Sequence, residues 1–184
     1  NVMPLSVDKP GTPLHHYSGF TASFWQCHPE SRGAVHIQSS DPARQPRIAP
    51  NYLSTPLDRA VMVDGVRILR DIHEQKAFRP LWDRENVIGA DRQSDAQILD
   101  AIRTQGGTVF HPVGTCRMGS DSGAVLDPQL RVRGVAALRV IDASVMPKIT
   151  SANTNAATLM IADKGASMIL KDARRNASAP EERL

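Results

Sequence analysis

One histidine in this sequence stands in surroundings that would present its ring to a ligand. It belongs to the segment Val109-Phe-His-Pro-Val-Gly-Thr-Cys-Arg-Met-Gly119. Pro112 biases His111 toward an extended backbone, and Gly114 allows the chain to reverse, so we expect His111 at the end of a strand. An imidazole with an ordinary pKa of about 6.5 can accept a proton near neutral pH. From these residues alone the alternative, a packed structural histidine, is the more common role.

A second polar cluster follows this segment. Leu138-Arg-Val-Ile-Asp142 predicts a short buried strand with an acidic residue at its end, and the polar segment Thr150-Ser-Ala-Asn-Thr-Asn155 opens a helix. Because the free N–H groups at a helix start carry partial positive charge, this arrangement could bind an anion or a cofactor. The alternative is that the polar side chains only cap the helix: Ser151, Asn153, Thr154 and Asn155.

Three helices are predicted to support these clusters. Thr55-Pro-Leu-Asp58 and Ser94-Asp-Ala-Gln97 have the pattern of a capping box, and Gly106 follows the second helix. The third helix, from about Thr154 to Lys171, is apolar or small on nearly every face. Such a helix requires burial on all sides, so we expect part of its partner surface to come from chain outside this sequence.

The strands are predicted to form a hairpin. The β-forming stretches Phe20–His28 and Ala34–Gln38 flank Pro29-Glu-Ser-Arg-Gly33, which indicates an antiparallel hairpin with a five-residue loop. Hairpins mixed with helices predict the α+β class, with helices packed on an antiparallel sheet and a C-terminal strand–helix segment.

The composition excludes several classes of protein. The chain has 184 residues, 22 Lys plus Arg against 19 Asp plus Glu, a net charge of +3 and 41% hydrophobic residues. No run approaches the ~18 apolar residues of a membrane span. Two cysteines cannot build a disulfide framework or a four-thiolate metal site. No secretory signal is visible, and we expect a cytoplasmic location.

Neither a metal nor a nucleic acid is predicted as a partner. His15 and His16 are adjacent, and neighbouring residues of an extended segment point to opposite faces. Arg131, Arg133 and Arg139 lack the aromatic residues on which bases would stack.

Several separate motifs, in this order, resemble the C-terminal, substrate-binding and catalytic portion of the glucose–methanol–choline (GMC) family of flavin oxidoreductases, and within it the choline-dehydrogenase-like alcohol dehydrogenases. The resemblance runs from about Gly33 to Leu170. It is carried by Ala34-Val-His-Ile-Gln-Ser-Ser-Asp-Pro, Ile48-Ala-Pro-Asn-Tyr-Leu, His111-Pro-Val-Gly-Thr-Cys-Arg-Met-Gly, and residues 138–166.

The resemblance implies a catalytic pair. The histidine of the H-P-x-G-T segment is the family's catalytic base, and here it is His111. Its partner, His or Asn in the family, lies at the start of the last helix and matches Asn153, with Asn155 as the competing position.

The resemblance also implies cofactor contacts. Asp142 and Ala143 match the turn that touches the pyrophosphate–ribose part of FAD, and Thr154 and Asn155 would offer backbone groups to the isoalloxazine ring. The implied reaction is the oxidation of a primary alcohol to an aldehyde, with proton abstraction and hydride transfer to flavin N5.

One departure from the family concerns the cofactor. FAD is held in the family mainly by an N-terminal domain with a G-x-G-x-x-G fingerprint, and no two glycines here are spaced i, i+2. We expect that domain to be this chain's partner, beside a small alcohol substrate. We also expect the chain alone to bind FAD weakly or not at all, and to be inactive. The alternatives are a non-enzymatic binding or assembly module, or a family member that acts as an oxidase or a lyase.

Three parts are predicted for the chain. Residues 1–19 contain Pro4, Pro10, Gly11 and Pro13 before any periodic pattern, and we expect them to be a connecting segment of a longer protein. Residues 20–170 are the GMC C-terminal domain, with a substrate cap at 20–108 and a catalytic, FAD-contacting part at 109–170. Residues 171–184 are a polar, frayed tail. Four aromatic residues are candidates either for a pocket or for ordinary core packing: Phe24, Trp25, Tyr52 and Trp82.

Overall fold

The computed structural model describes residues 1–8 and 11–178, with only the backbone of Asn176. The chain forms two compact units, Asn1–Val109 and Phe110–Leu184. Unit 1 contains paired strands and two helices, and unit 2 contains irregular loops and one long helix. This mixture confirms the α+β class.

The strands of unit 1 form two separate antiparallel pairs. Strands β1 (Val2–Met3) and β2 (Thr21–Ala22) make one sheet, and β3 (Ala34–His36) pairs with β4 (Arg47–Ala49) in the other. The predicted hairpin between residues 20–28 and 34–38 is therefore wrong, although each stretch contributes a strand. Part of the predicted connecting segment, Val2–Met3, is a strand as well.

The predicted hairpin loop has other partners, which explains this difference. The backbone N–H groups of Glu30 and Ser31 donate to the carboxylate of Asp58, at 2.9 and 2.7 Å. A Cβ at Gly33 would lie 2.2 Å from the carbonyl oxygen of Ala49, so the β3 end of the loop lies against the strand that β3 pairs with. The loop is bound to a helix start and to β4 and cannot close a hairpin.

The helices of unit 1 begin where the sequence predicts. Helix α1 (Pro56–His73) is capped by Thr55, and helix α2 (Asp95–Gln105) begins with a complete capping box between Ser94 and Gln97. Gly106 caps the end of α2 in an extended conformation, with φ −67°. The two helices pack through an apolar cluster centred on Val63, Val66 and Ile98.

Two groups of contacts hold residues 74–94, which connect α1 to α2. The guanidinium of Arg70 donates to Glu85 through Nε and Nη2, at 2.8 and 3.2 Å, and to the backbone carbonyls of Gly89 and Arg92. Beside it, the His73 ring lies between aromatic rings: Phe20, Phe78 and Trp82.

Unit 2 contains no regular strand within residues 110–178 and is held by isolated bridges, Met118 with Leu126, Leu126 with Val132, and Arg131 with Arg139. The predicted strand Leu138–Asp142 is wrong, because only one bridge forms there. Ala137 has a left-handed φ of 59°, and a 3-10 turn, Ala143–Val145, starts immediately after Asp142. The two bends leave no length for a strand.

Helix α3 (Thr154–Ser178) extends beyond its predicted end at Lys171 and so includes residues 171–178 of the predicted polar tail 171–184; the rest of that tail lies outside the described residues. Ile161 joins a core cluster with Leu126, Leu130, Val145 and Met146. A Cβ at Gly165 would lie 2.6 Å from the Ile141 side chain, so this glycine permits close packing. Other apolar residues of α3 are exposed, 44% to 63%: Leu159, Met160, Ile169 and Leu170.

Within the described residues, none of the helices combines the length and the apolar character that crossing a membrane requires.

Candidate functional site

His111 lies on an irregular segment at the start of unit 2 and not at the end of a strand. The residue is half-buried, and its ring makes no hydrogen bond or ion pair with another described residue. Phe110, directly before it, has a left-handed φ of 58°. A bulky residue rarely adopts this conformation, and such strain is most common at functional sites. Within the described part of the chain, the ring is thus left without a polar partner next to a strained residue.

Three backbone hydrogen bonds attach the His111 segment to the turn Ala143–Val145. The N–H groups of Gly114 and Cys116 both donate to the carbonyl oxygen of Ser144, at 3.0 and 3.1 Å. The N–H of Met118 donates to the carbonyl oxygen of Val145, at 2.9 Å. Gly114 has a φ of +89°, as a chain reversal at this position requires, which confirms the role predicted for it.

An arginine in the same segment stabilises the loop that follows. The guanidinium of Arg117 donates two hydrogen bonds to the carboxylate of Asp121, at 2.8 and 2.6 Å. These bonds hold the pKa of Asp121 well below its usual range. The carbonyl oxygen of Arg117 accepts from the N–H groups of Val125 and Leu126. Sequence reasoning did not identify this pair, although the spacing of four positions between the opposite charges is visible in the sequence.

The carboxylate of Asp142 organises the turn to which the His111 segment is attached. Its Oδ1 accepts hydrogen bonds from the N–H of Ser144 at 2.7 Å and from the Ser144 hydroxyl. No described residue donates to the other oxygen, Oδ2. Val145 and Met146, which follow, are 0% and 5% exposed and fix the turn in the core. Sequence reasoning gave Asp142 only a cofactor role and did not identify Ser144.

The start of α3 presents two asparagine side chains. Asn153, directly before the helix, and Asn155, in its first turn, are exposed, and neither side chain hydrogen-bonds to a described residue. Thr154 between them is buried. The alternative in which the asparagine side chains cap the helix therefore finds no support in the hydrogen bonds of the described part.

The predicted site residues fall into one connected set and one separate set. Hydrogen bonds join the turn that contains Ala143, and with it Asp142, to the His111 segment. Asn153, Thr154 and Asn155 stand together at the start of α3 in the same unit. No hydrogen bond connects His111 with Asn153 among the described residues.

These groups could hydrogen-bond to a dinucleotide such as the one that the family resemblance implies. The first N–H groups of α3 have no intrahelical acceptor, so they suit the electron-rich carbonyls of an isoalloxazine ring. The N–H of Ala143 suits a phosphate oxygen, and Oδ2 of Asp142 suits a ribose hydroxyl. Over residues 1–8 and 11–178, no group of three or more His, Cys, Asp or Glu side chains could hold a metal ion.

The four aromatic candidates differ in their surroundings. Phe24 packs on the α1–α2 cluster, and Trp82 stacks on His73 with ring centroids 5.7 Å apart; both are half-buried. Trp25 is 37% exposed and Tyr52 63% exposed, and the Tyr52 hydroxyl donates to Thr108.

The three arginines that were considered for nucleic-acid contact are used inside unit 2. Arg139 and Arg131 pair with Asp172, at 2.6 and 3.5 Å, and the bond from Arg139 is the largest cause of the lowered pKa of that carboxyl group. Arg133 donates to the carbonyl oxygen of Gly119, at 2.8 Å.

Comparison with known proteins gives a consistent result. The family model described as GMC oxidoreductase matches residues 29–162. An alcohol dehydrogenase (acceptor) from Pseudomonas putida is 43% identical over 169 residues, 92% of this chain and 31% of that protein. An oxygen-dependent choline dehydrogenase from Pseudomonas aeruginosa is 41% identical over 167 residues, 91% of this chain and 30% of that protein.

A solved structure agrees with these matches. It is a formate oxidase variant from Aspergillus oryzae RIB40 that was used to test the effect of a mutation on FAD modification, and it superposes with a TM-score of 0.69 at 31% identity. The match covers 78% of this chain and 25% of that one. The chain spans about a third of the length of the curated relatives it matches. By the family model and by these relatives, the chain belongs to the GMC oxidoreductase family.

Proposed function

We propose that this chain is the C-terminal, substrate-binding and catalytic portion of an FAD-dependent oxidoreductase that oxidises a primary alcohol to an aldehyde. The observation that carries the proposal is the His111 ring, which has no polar partner among the described residues and stands on a segment attached to the Asp142 turn. Alcohol and choline dehydrogenases among the relatives support the reaction class.

In the proposed mechanism the side chains of this chain handle the substrate's proton and oxygen. His111 accepts the hydroxyl proton, which increases the electron density on the oxygen as the C–H bond breaks. The side-chain amide of Asn153 donates a hydrogen bond to that oxygen, and because an amide is not a base it does not compete for the proton. FAD, when bound, supplies the hydride acceptor. Asp142, Ala143, Thr154 and Asn155 would hold it.

The remaining partner in this proposal is an N-terminal FAD-binding domain of the same protein. Its docking surface would include exposed apolar residues of α3: Leu159, Met160, Ile169 and Leu170. Exposed apolar side chains grouped on one helix support an interaction surface there. The division of the structure between Val109 and Phe110 supports a boundary between a substrate cap at 20–108 and a catalytic part at 109–170.

The test is flavin reduction in the full-length, FAD-loaded protein that contains this chain. Mixed anaerobically with a panel of primary alcohols, the wild type should lose its oxidised flavin absorbance. His111→Gln should slow this bleaching by about 10²- to 10⁴-fold, the usual contribution of a general base. His36→Gln, on exposed strand β3, is the matched control and should bleach at the wild-type rate. Bleaching of His111→Gln within threefold of wild type would refute the role of His111.

Reoxidation of the bleached flavin then separates two forms of the function. Rapid return of the absorbance on admission of oxygen indicates an oxidase. Return only with an added artificial acceptor indicates a dehydrogenase.

A further inference from the structure

The turn Ala143–Val145 lies between the residue proposed for cofactor contact, Asp142, and the segment that carries the catalytic base. We propose that Asp142 is a positioning residue for His111, acting through the backbone of Ser144. This inference rests on the proposed function for its catalytic consequence. The hydrogen bonds from which it is argued all lie within this chain.

The connection consists of two consecutive steps. In the first, Oδ1 of Asp142 accepts from the N–H of Ser144, at 2.7 Å, and from the Ser144 hydroxyl. In the second, the carbonyl oxygen of Ser144 accepts from the N–H groups of Gly114 and Cys116, at 3.0 and 3.1 Å. Ser144 thus donates its N–H to the Asp142 carboxylate and, through its carbonyl oxygen, accepts the N–H groups of the His111 segment.

The two ends of the turn are held by different contacts. Val145 and Met146 are buried in the core of unit 2, and the N–H of Met118 donates to the carbonyl oxygen of Val145. At the other end Ala143 packs partly against the same core, and the exposed Asp142 accepts the N–H of Ser144. Loss of the carboxylate would remove the acceptor of that N–H and so loosen the residue whose carbonyl oxygen binds Gly114 and Cys116.

The Ser144 carbonyl binds the His111 segment close to the base. The segment is not part of a named strand, and its later residues are also held by other contacts, since Cys116 and Met118 pack against the core. Gly114, three residues after His111, donates its N–H to the Ser144 carbonyl at 3.0 Å. A displacement of the base by about 1 Å can cost about 10²-fold in rate. The carboxylate of Asp142 therefore contributes to where the His111 ring stands relative to the substrate oxygen.

The two possible roles of Asp142 predict different behaviour for its amide variant. Asparagine caps turns and helix starts about as well as aspartate, because its carbonyl oxygen accepts the same N–H. Asp142→Asn should therefore restore the position of His111, whereas Asp142→Ala should not. A purely electrostatic role toward the cofactor would make both variants equally defective.

The first arm of the test uses the 184-residue chain and NMR. In Asp142→Ala, the amide protons of Gly114 and Cys116 should exchange at least about 10-fold faster than in wild type, and the His111 ring signal should move. Asp142→Asn should return both readouts most of the way to wild type. Asp163→Ala, an exposed carboxylate on α3, is the control and should leave them unchanged. If Asp142→Ala does not fold, Ser144→Ala, which removes only the hydroxyl donor, should still move the His111 ring signal.

The second arm uses the full-length FAD-loaded protein. Asp142→Ala should lower kcat about 10- to 10²-fold with a KM within about threefold of wild type, as expected for a displaced base. Asp142→Asn should be closer to wild type than to Asp142→Ala.

Either of two results would overturn the inference: unchanged amide exchange and ring signal in Asp142→Ala, or an Asp142→Asn variant as defective as Asp142→Ala. A wild-type holoenzyme that oxidises no alcohol would instead contradict the proposed function, and the NMR arm would still decide whether Asp142 positions His111.

Discussion

The substitution Asp58→Asn tests whether a buried carboxylate holds unit 1 together. Asp58 is 2% exposed and accepts the N–H groups of Glu30 and Ser31 together with the Ser31 hydroxyl. Burial raises the pKa of this carboxyl group, but the hydrogen bonds outweigh burial and lower the pKa from 3.8 to about 2. The ionised form is therefore the one that the fold stabilises.

The size of the effect follows from the two pKa values. One pKa unit corresponds to about 1.4 kcal/mol, so the drop from 3.8 to about 2 gives about 2.5 kcal/mol of stability at pH 7. Because the pKa is lowered in the folded state, this stability is present above pH 3.8 and is lost as the pH falls toward 2. The neutral amide of Asp58→Asn should remove it at every pH.

Urea unfolding of the 184-residue chain, followed by tryptophan fluorescence, measures this difference. Both tryptophans, Trp25 and Trp82, belong to unit 1, so the signal reports the unit that contains Asp58. Asp58→Asn should lower the free energy of unfolding by about 2.5 kcal/mol at pH 7, and by about 0.5 kcal/mol at pH 2. Asp71→Asn, on the exposed face of α1, should change it by less than about 0.5 kcal/mol. A difference that is the same at pH 7 and pH 2 would refute the argument.

Two further substitutions test packing and charge in unit 1 by the same assay. Gly65→Ala should destabilise the chain by about 1–2 kcal/mol, because the new Cβ would lie 2.0 Å from the Phe24 ring. This steric cost exceeds the gain in helix propensity from glycine to alanine. Gly107→Ala is the control and should be neutral, because no heavy atom lies within 4 Å of the new Cβ. Glu85→Gln should cost about 2 kcal/mol, because Arg70 and Glu85 are only 17% and 19% exposed and the bond is charge-assisted. The exposed pair of Arg67 and Asp95 supplies the control, and Asp95→Asn should leave stability unchanged within error.

The helix starts could be predicted because their signals are local. The pattern at Thr55–Asp58 and at Ser94–Gln97 specifies hydrogen bonds between residues three positions apart, and the structure contains both. At the first helix only the Thr55 half of the capping box forms, because the Asp58 carboxylate binds Ser31 and the N–H of Thr55 donates to the Ser31 hydroxyl at 3.4 Å.

The hairpin could not be predicted correctly because its outcome depends on distant residues. The loop at 29–33 has the residues of a turn, yet its amide groups bind Asp58, which lies 27 or 28 residues away in the sequence. Strand propensity was correct for parts of both flanking stretches, but pairing was decided by this long-range acceptor and by the contact of Gly33 with β4. Propensity carries no information on such partners.

In the candidate site, too, local features could be predicted from the sequence and long-range contacts could not. The turn at Gly114 follows from the residue type, whereas the shared acceptor on Ser144 is a backbone carbonyl and has no signature in the sequence. The roles of His111 and Asn153 came from family resemblance. The hydrogen bonds of the described residues leave both side chains without a partner and do not join them to each other.

Carboxylates serve beside backbone carbonyls as hydrogen-bond acceptors in the loops of this chain. Asp58, Asp121, Asp127 and Asp142 each accept backbone N–H groups from residues outside the α-helices and strands. Unit 2 has no regular strand within residues 110–178 to supply such acceptors. The pKa values of Asp58 and Asp121 are lowered, so their ionised forms are the ones bound. If Asp142 positions the His111 segment as proposed, a substitution at this side-chain acceptor acts on the base as well as on any cofactor contact.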